Sequence, residues 1–254
     1  MGKVYLIGAG PGAADLITVR GARLLGQAQV VLHDALVEPA MLEYAPADAK
    51  FIAVGKRCGQ RSTAQHFINK QLVDAALEHD VVVRLKGGDP MLFGRADEEM
   101  RALEAAGIEY EIVPGITAAL ASAATLQRSL TLRGVSRSVA LATYSRAAGS
   151  EEIREHVNAD SLVFYMGRDS APEIARQLIE AGRAGETPVA IVEACSTARE
   201  RTLTLTLAAL QAGEAQDWLD AAQPSLLMIG EAFRARAAQE DASQDEQDPR
   251  RAAA

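Results

Sequence analysis

The stretch that most constrains this chain is Val81-Val82-Val83-Arg84-Leu85-Lys86-Gly87-Gly88-Asp89-Pro90-Met91-Leu92-Phe93-Gly94-Arg95. Three consecutive β-branched residues and Leu85 predict a short strand buried on both faces. Gly-Gly-Asp-Pro follows at once, and it can neither continue a strand nor open a regular helical turn. In open parallel sheets, ligands bind at the carboxyl ends of the strands. A paired glycine there lets a ligand approach the main chain, and Asp89 offers an acceptor to an amine or hydroxyl. The competing reading is a tight turn in which Asp89 caps the next helix. A second glycine-rich strand end, at the amino terminus, favours the ligand.

That second element is Val4-Tyr5-Leu6-Ile7, closed by Gly8-Ala9-Gly10-Pro11-Gly12. It matches Gly-x-Gly-x-x-Ala, a weak dinucleotide fingerprint. A dinucleotide turn opens its helix within the glycines, so that the helix amino terminus faces the pyrophosphate. Here Pro11-Gly12 breaks that start, and the next good N-cap is Thr18, ahead of Val19 to Leu25. The loop is long for a Rossmann turn, which leaves an NAD-dependent oxidoreductase as the different-class alternative.

Further strand ends carry chemistry. Val30-Val31-Leu32 ends at His33-Asp34, where an acid is a candidate base, a ribose ligand or a plain cap. Ile52-Ala53-Val54 runs into Gly55-Lys56-Arg57-Cys58-Gly59-Gln60-Arg61, whose cations beside glycines suit an anion or carboxylate. Ala96 to Ala106 reads as an amphipathic helix stopped by Gly107. Ile108 to Val113 is a strand ending in Pro114-Gly115-Ile116-Thr117, with Thr117 the expected cap of a small-residue helix over Ala118 to Leu126. The second half repeats the α/β rhythm, with strands at Val139–Thr143, Leu162–Met166, Val189–Val192 and Leu226–Ile229. Pro172 opens a helix that ends near Gly182. Thr202 to Leu207 alternates threonine with leucine, which predicts a half-exposed, antiparallel strand.

Charge distribution narrows the ligand class. The 254 residues carry a formal net charge of −8, which argues against nucleic acid as the main partner. Between Asp48 and Asp74 there is no acid but there are Lys50, Lys56, Arg57, Arg61 and Lys70; between Glu111 and Glu151 there are only Arg128, Arg133, Arg137 and Arg146. Two basic zones in an acidic chain suit a small polyanionic ligand, although solvated faces explain charge alone equally well. The four histidines lack metal-ligand spacing, so no metal is expected. No Gly-x-Ser-x-Gly elbow marks a hydrolase nucleophile. Cys58 and Cys195 are lone thiols, and the chain enters its first strand without a secretory hydrophobic region; a reducing cytoplasm and no membrane span are the expectation. From about Ala237 the composition has almost nothing to bury, which predicts a disordered tail.

Read together, Gly8-Ala9-Gly10-Pro11-Gly12, His33-Asp34, Gly55-Lys56-Arg57, Arg84-Leu85-Lys86-Gly87-Gly88-Asp89-Pro90 and Val113-Pro114-Gly115-Ile116-Thr117 closely resemble the uroporphyrinogen III C-methyltransferases of the tetrapyrrole methylase superfamily. Val163-Phe164-Tyr165-Met166-Gly167 and Gln223-Pro224-Ser225-Leu226-Leu227-Met228-Ile229-Gly230 extend the resemblance to about residues 3–233. It implies a two-domain α/β fold with the active site in the interdomain cleft, divided at 1–114 and 115–235 with a tail over 236–254. A homodimer is implied as well. The implied reaction transfers methyl groups from S-adenosyl-L-methionine to two pyrrole carbons of a tetrapyrrole with eight carboxylates, giving precorrin-2 for sirohaem or cobalamin, and S-adenosyl-L-homocysteine. Residue by residue, the resemblance implies Asp34 as proton acceptor and Lys56 as proton donor. It implies cofactor contacts at Pro11, Gly87, Gly88, Asp89, Leu92, Thr117, Ala118, Met166 and Cys195. Arg57, Arg61, Arg128 and Arg133 are the candidates for substrate carboxylates. The chain departs from the family where Gly-Ile-Pro-Leu-Thr-His-Arg is usual and Arg128-Ser129-Leu130-Thr131-Leu132-Arg133 stands. It departs again at Arg61 (usually histidine), at Thr143-Tyr144-Ser145 (commonly Thr-Gly-His) and at Cys195 (frequently glycine). These changes lie mostly on the expected substrate side and keep a later corrin precursor open as substrate.

Overall fold

The computed structural model describes residues 2–55, 65–144 and 158–235. Its first half builds a five-stranded parallel sheet from β1 (Lys3–Gly8), β2 (Val30–His33), β3 (Lys50–Ala53), β4 (Val81–Lys86) and β5 (Tyr110–Val113), in the order β3-β2-β4-β1-β5. The Val81 stretch is therefore the central strand. Its alternation sorts two cores. Val82 faces α3 (Gln65–Glu78) and α4 (Ala96–Ala105), where Leu72, Ala76 and Leu103 are fully buried. Val83 and Leu85 face α1 (Val19–Leu25) and α2 (Pro39–Leu42), packing with Leu25 and Met41. Helices on both faces explain the unbroken apolar run. The Thr18 side chain accepts from the Gly21 N–H and starts α1 where the sequence predicts it.

The second sheet differs. After α5 (Ala118–Thr125), strands β6 (Val139–Thr143), β7 (Ser161–Tyr165), β8 (Pro188–Glu193), β9 (Arg201–Thr206) and β10 (Ser225–Ile229) take the order β6-β7-β10-β8-β9. Only β6 and β7 pair in parallel; β7–β10, β10–β8 and β8–β9 are antiparallel. The expected continuation of the α/β rhythm thus holds for element order but not for strand direction. The Thr-Leu alternation of β9 gives the half-exposed antiparallel strand it predicts, which the structure places at the sheet edge. One face of this sheet packs on α6 (Ala171–Glu180) and α7 (Leu207–Gln211) through Ile174, Leu178 and Leu210. The other packs on α5, whose Ala119, Ala121 and Ala123 let the helix lie close on Val163, Ala190 and Met228. Among the described residues, no helix is long and apolar enough to cross a membrane.

Candidate active site

In the first sheet, β1 leads to β2 on one side and β4 leads to β5 on the other, so the neighbouring carboxyl ends of β1 and β4 form the switch point where ligands of such sheets bind. The two glycine loops meet there. The Gly88 N–H donates to Gly10 O at 2.7 Å and the Gly10 N–H donates to Gly88 O at 3.1 Å. A Cβ on Gly8 would sit 2.6 Å from Gly115 Cα, and one on Gly115 would run into the Gly88 carbonyl. Most of the motif glycines therefore serve backbone-to-backbone packing. Gly87 and Gly88 differ, since an added Cβ would meet only Leu36 Cβ at 3.5 Å on the first and only Thr117 Cα at 3.9 Å on the second, whose φ of +67° favours glycine. The ligand reading of the Gly-Gly pair stays with both residues.

This geometry also removes the dinucleotide turn. Gly10 is engaged with Gly88, and α1 opens only at Val19, behind a short 3-10 turn over Ala14–Leu16.

Asp89 departs from the expectation of an open acceptor. Its Oδ1 accepts from the Met91 N–H at 2.8 Å and its Oδ2 from the Gly115 N–H at 2.9 Å, tying the β4 loop to the end of β5. A carboxylate has about four lone-pair positions, so capacity for one more donor remains. Thr117 departs too. It precedes α5 but makes no side-chain cap; its hydroxyl pairs instead with Tyr165 Oη at 2.5 Å, and Tyr165 Oη accepts from the Ala119 N–H at 3.1 Å. Burial pushes the Tyr165 phenol above its ordinary range, keeping it a neutral hydroxyl.

Direct contacts link the loops that carry the residues expected at the cofactor. Gly88 lies beside Thr117, whose Cα would be 3.9 Å from a Gly88 Cβ. Pro11 sits between Gly10 and Gly12, and a Cβ on Gly12 would lie 2.8 Å from Cys195 O. The Ala13 N–H donates to Ser196 Oγ at 3.0 Å. Leu92 closes the Asp89 turn, its N–H donating to Asp89 O at 3.3 Å. The Phe93 ring packs at 5.1 Å on that of Tyr165, which precedes Met166. Ala118 opens α5 next to Thr117. Phe93, Arg95, Met166, Ala194 and Ser196 all have left-handed φ near +50°, a conformation uncommon for residues with a side chain and one that clusters at ligand sites. Cys195 is buried, which raises its thiol above the ordinary range and makes it a packing group rather than a nucleophile.

Asp34 follows β2 directly, its side chain 29% exposed, in an ion pair with Arg84. Arg84 and Lys86 point from β4 to the α4 side and share Glu99, with N–O distances of 2.9 Å to each oxygen. Sequence reasoning missed this cluster. Its signal was two cations at i and i+2 inside a strand otherwise apolar enough to be buried, which requires a buried acid nearby.

The substrate-side expectations are less converged. Lys56, Arg57 and Arg61 lie outside the described residues. Arg128 lies beyond the far end of α5 from Thr117, donating to the carbonyls of Gln127 and Arg234 at 3.1 Å, and Arg133 is exposed. A groove of about 610 Å³ joins the two ends of α5, running from Thr117 past Leu120, Ala123 and Leu141 to Arg128 and Thr131.

The Tetrapyrrole (Corrin/Porphyrin) Methylases family model matches residues 3–211. The chain is 46% identical over 238 residues to a siroheme synthase of Pseudomonas fluorescens (strain Pf0-1), covering 92% of this chain and 51% of that protein. It thus spans about half the length of such relatives. Its fold matches uroporphyrin-III C-methyl transferase from Thermus thermophilus, complexed with S-adenyl homocysteine, at a TM-score of 0.79 and 37% identity, over 92% of this chain and 94% of that one. A cobalt precorrin-4 methyltransferase matches at a TM-score of 0.79 and 27% identity, over 92% and 96%. With the matched span and these likenesses over most of its length, the chain belongs to the tetrapyrrole methylase family.

Proposed function

We propose that this chain is an S-adenosyl-L-methionine-dependent C-methyltransferase that converts uroporphyrinogen III to precorrin-2 by two pyrrole-carbon methylations. The observation that carries the reading is the chain of contacts that brings the loops holding Pro11, Gly87, Gly88, Asp89, Leu92, Thr117, Ala118, Met166 and Cys195 together from the strand ends of both sheets and the start of α5. Those are the positions that match the family's cofactor contacts. The likeness to a uroporphyrin-III C-methyl transferase complexed with S-adenyl homocysteine supports the same ligand here. The residues suit it: an open side at Gly87, neutral hydroxyls at Thr117 and Tyr165, and the thioether of Met166, which is 55% exposed.

When bound, S-adenosyl-L-methionine supplies an activated methyl group, so no side-chain nucleophile is needed. The chain's own work is to hold an electron-rich ring carbon in line and to move protons. Asp34 accepts a proton through the oxygen not engaged by Arg84, and Lys56 donates one. Arg57, Arg61, Arg128 and Arg133 bind substrate carboxylates. The exposed face of α5 and the segment after it, with Leu120 56%, Leu132 47% and Val135 47% exposed, supports a homodimer. The two sheets support units at 1–114 and 115–235 with the site in a cleft between them; residues 236–254, the expected tail, lie outside the described residues, and a cytoplasmic location belongs to the same reading.

Anaerobic incubation with uroporphyrinogen III and S-adenosylmethionine, followed by mass analysis, tests the reading. A gain of two methyl groups is expected. Binding of S-adenosylhomocysteine without methyl gain would move the substrate to a later corrin precursor. The Arg128–Arg133 departure and the cobalt precorrin-4 methyltransferase likeness favour that second reading. Neither binding nor transfer would contradict both.

A further inference from the structure

The charges buried behind Asp34 need an explanation other than stability. Burying ion pairs costs desolvation that their attraction barely offsets, and apolar replacements of similar volume are often no less stable. Here four charged groups form one chain, Asp34–Arg84–Glu99–Lys86. Arg84 is 2% exposed, Glu99 0% and Lys86 3% by side chain. Only Asp34, at the carboxyl end of its strand, has substantial exposure. Charge is thus buried in a line that surfaces at one carboxylate.

The geometry of Arg84 shows what the line does. Its Nε donates to Glu99 Oε1 at 2.9 Å, its Nη1 to Leu85 O at 3.1 Å and Leu32 O at 3.4 Å, and its Nη2 to Asp34 Oδ1. Every nitrogen of the guanidinium is occupied, so its plane is set by Glu99 and by the backbones of β2 and β4. The Asp34 N–H donates to Leu85 O at 3.2 Å, which fixes the same corner from the main chain. Glu99 occupies the first turn of α4, where the helix amino terminus favours an acid. It holds Lys86 through its second oxygen at 2.9 Å, and Gln65 reaches it from α3 at 3.4 Å.

We infer that Glu99 is a positioning residue for Asp34, acting through Arg84 to hold Oδ1 inward and leave Oδ2 to take the proton. The inference rests on the reading of Asp34 as proton acceptor. Burial above all, with Arg84 beside it, lowers Lys86 from the ordinary lysine range while Glu99 opposes both. That places Glu99 as the counter-charge for two buried cations.

The test is Glu99→Gln, which keeps shape and removes charge, assayed with uroporphyrinogen III and S-adenosylmethionine. A fall in kcat of roughly 10- to 100-fold is expected, below the full loss of an acid–base group. KM for both substrates and the Kd of S-adenosylhomocysteine should stay within about twofold, because only an interaction made in the transition state is weakened. Lys86→Gln combined with Glu99→Gln removes one charge of each sign and serves if the single variant does not fold; the same fall in kcat is expected. Adding Glu99→Gln to Asp34→Asn should cost little more, since the two act as one unit. Wild-type kcat in a folded Glu99→Gln or double variant, or additive losses with Asp34→Asn, overturns the inference. So does failure of both Glu99 variants to fold, which would make Glu99 a folding residue. If Asp34→Asn is itself fully active, the reading of Asp34 fails instead.

Discussion

The carboxyl edges of the two sheets solve different problems. The first ends in charge: Asp34 just after β2 and Arg84 and Lys86 on β4, backed by Glu99. The second pairs its buried acid, Glu193 at the end of β8, with Arg201 on the neighbouring strand and otherwise ends in neutral groups, Tyr165 closing β7, with left-handed backbone at Met166, Ala194 and Ser196. Strands buried on both faces can carry ions only where partners are built in, and the first sheet supplies them across β2, β4 and α4. The second supplies shape through left-handed turns, which place side chains at angles regular structure does not reach. In the proposed function, one edge handles protons and the other completes a cradle with the glycine loops.

The comparison can be broken in order of expected effect. Asp34→Asn should lower kcat by about 10²–10⁴-fold, the range of a general acid–base group, measured as methyl transfer under anaerobic conditions. Gly115→Ala should destabilise by about 2–3 kcal/mol, because its methyl meets the Gly88 carbonyl and Gly8 Cα, all backbone. Thermal unfolding would show a Tm about 5–10 °C lower. Gly87→Ala makes only ordinary contact with Leu36 Cβ at 3.5 Å; its Tm should barely move while S-adenosylhomocysteine binds about tenfold more weakly, or roughly 1.4 kcal/mol. Tyr165→Phe leaves the Ala119 N–H and Thr117 hydroxyl short of a partner, a loss of about 1–2 kcal/mol in stability by denaturant titration.

The fold was largely legible in the residues. Val81–Leu85 declared a doubly buried strand, Thr18 a cap and the Thr-Leu run a half-exposed antiparallel strand, because each pattern has one cheap structural solution. The antiparallel pairing of β10 was not legible, since an apolar run such as Leu226–Ile229 is compatible with either direction. Glycines were ambiguous for a related reason. Gly8, Gly88 and Gly115 look the same in sequence as Gly87, yet Gly8 and Gly115 are there for neighbouring backbone, Gly88 for its left-handed φ of +67°, and Gly87 for neither. Arg84 and Lys86 were visible, but their acid lies on a helix thirteen to fifteen residues on, and only the packed sheet brings it beneath them.

The division between the two edges is tested most directly by titrating S-adenosylhomocysteine calorimetrically into Asp34→Asn and Gly87→Ala side by side. Asp34→Asn should bind as the wild type does, and Gly87→Ala about tenfold more weakly. Loss of binding in Asp34→Asn, or wild-type binding in Gly87→Ala, would contradict the separation of proton handling from cofactor binding.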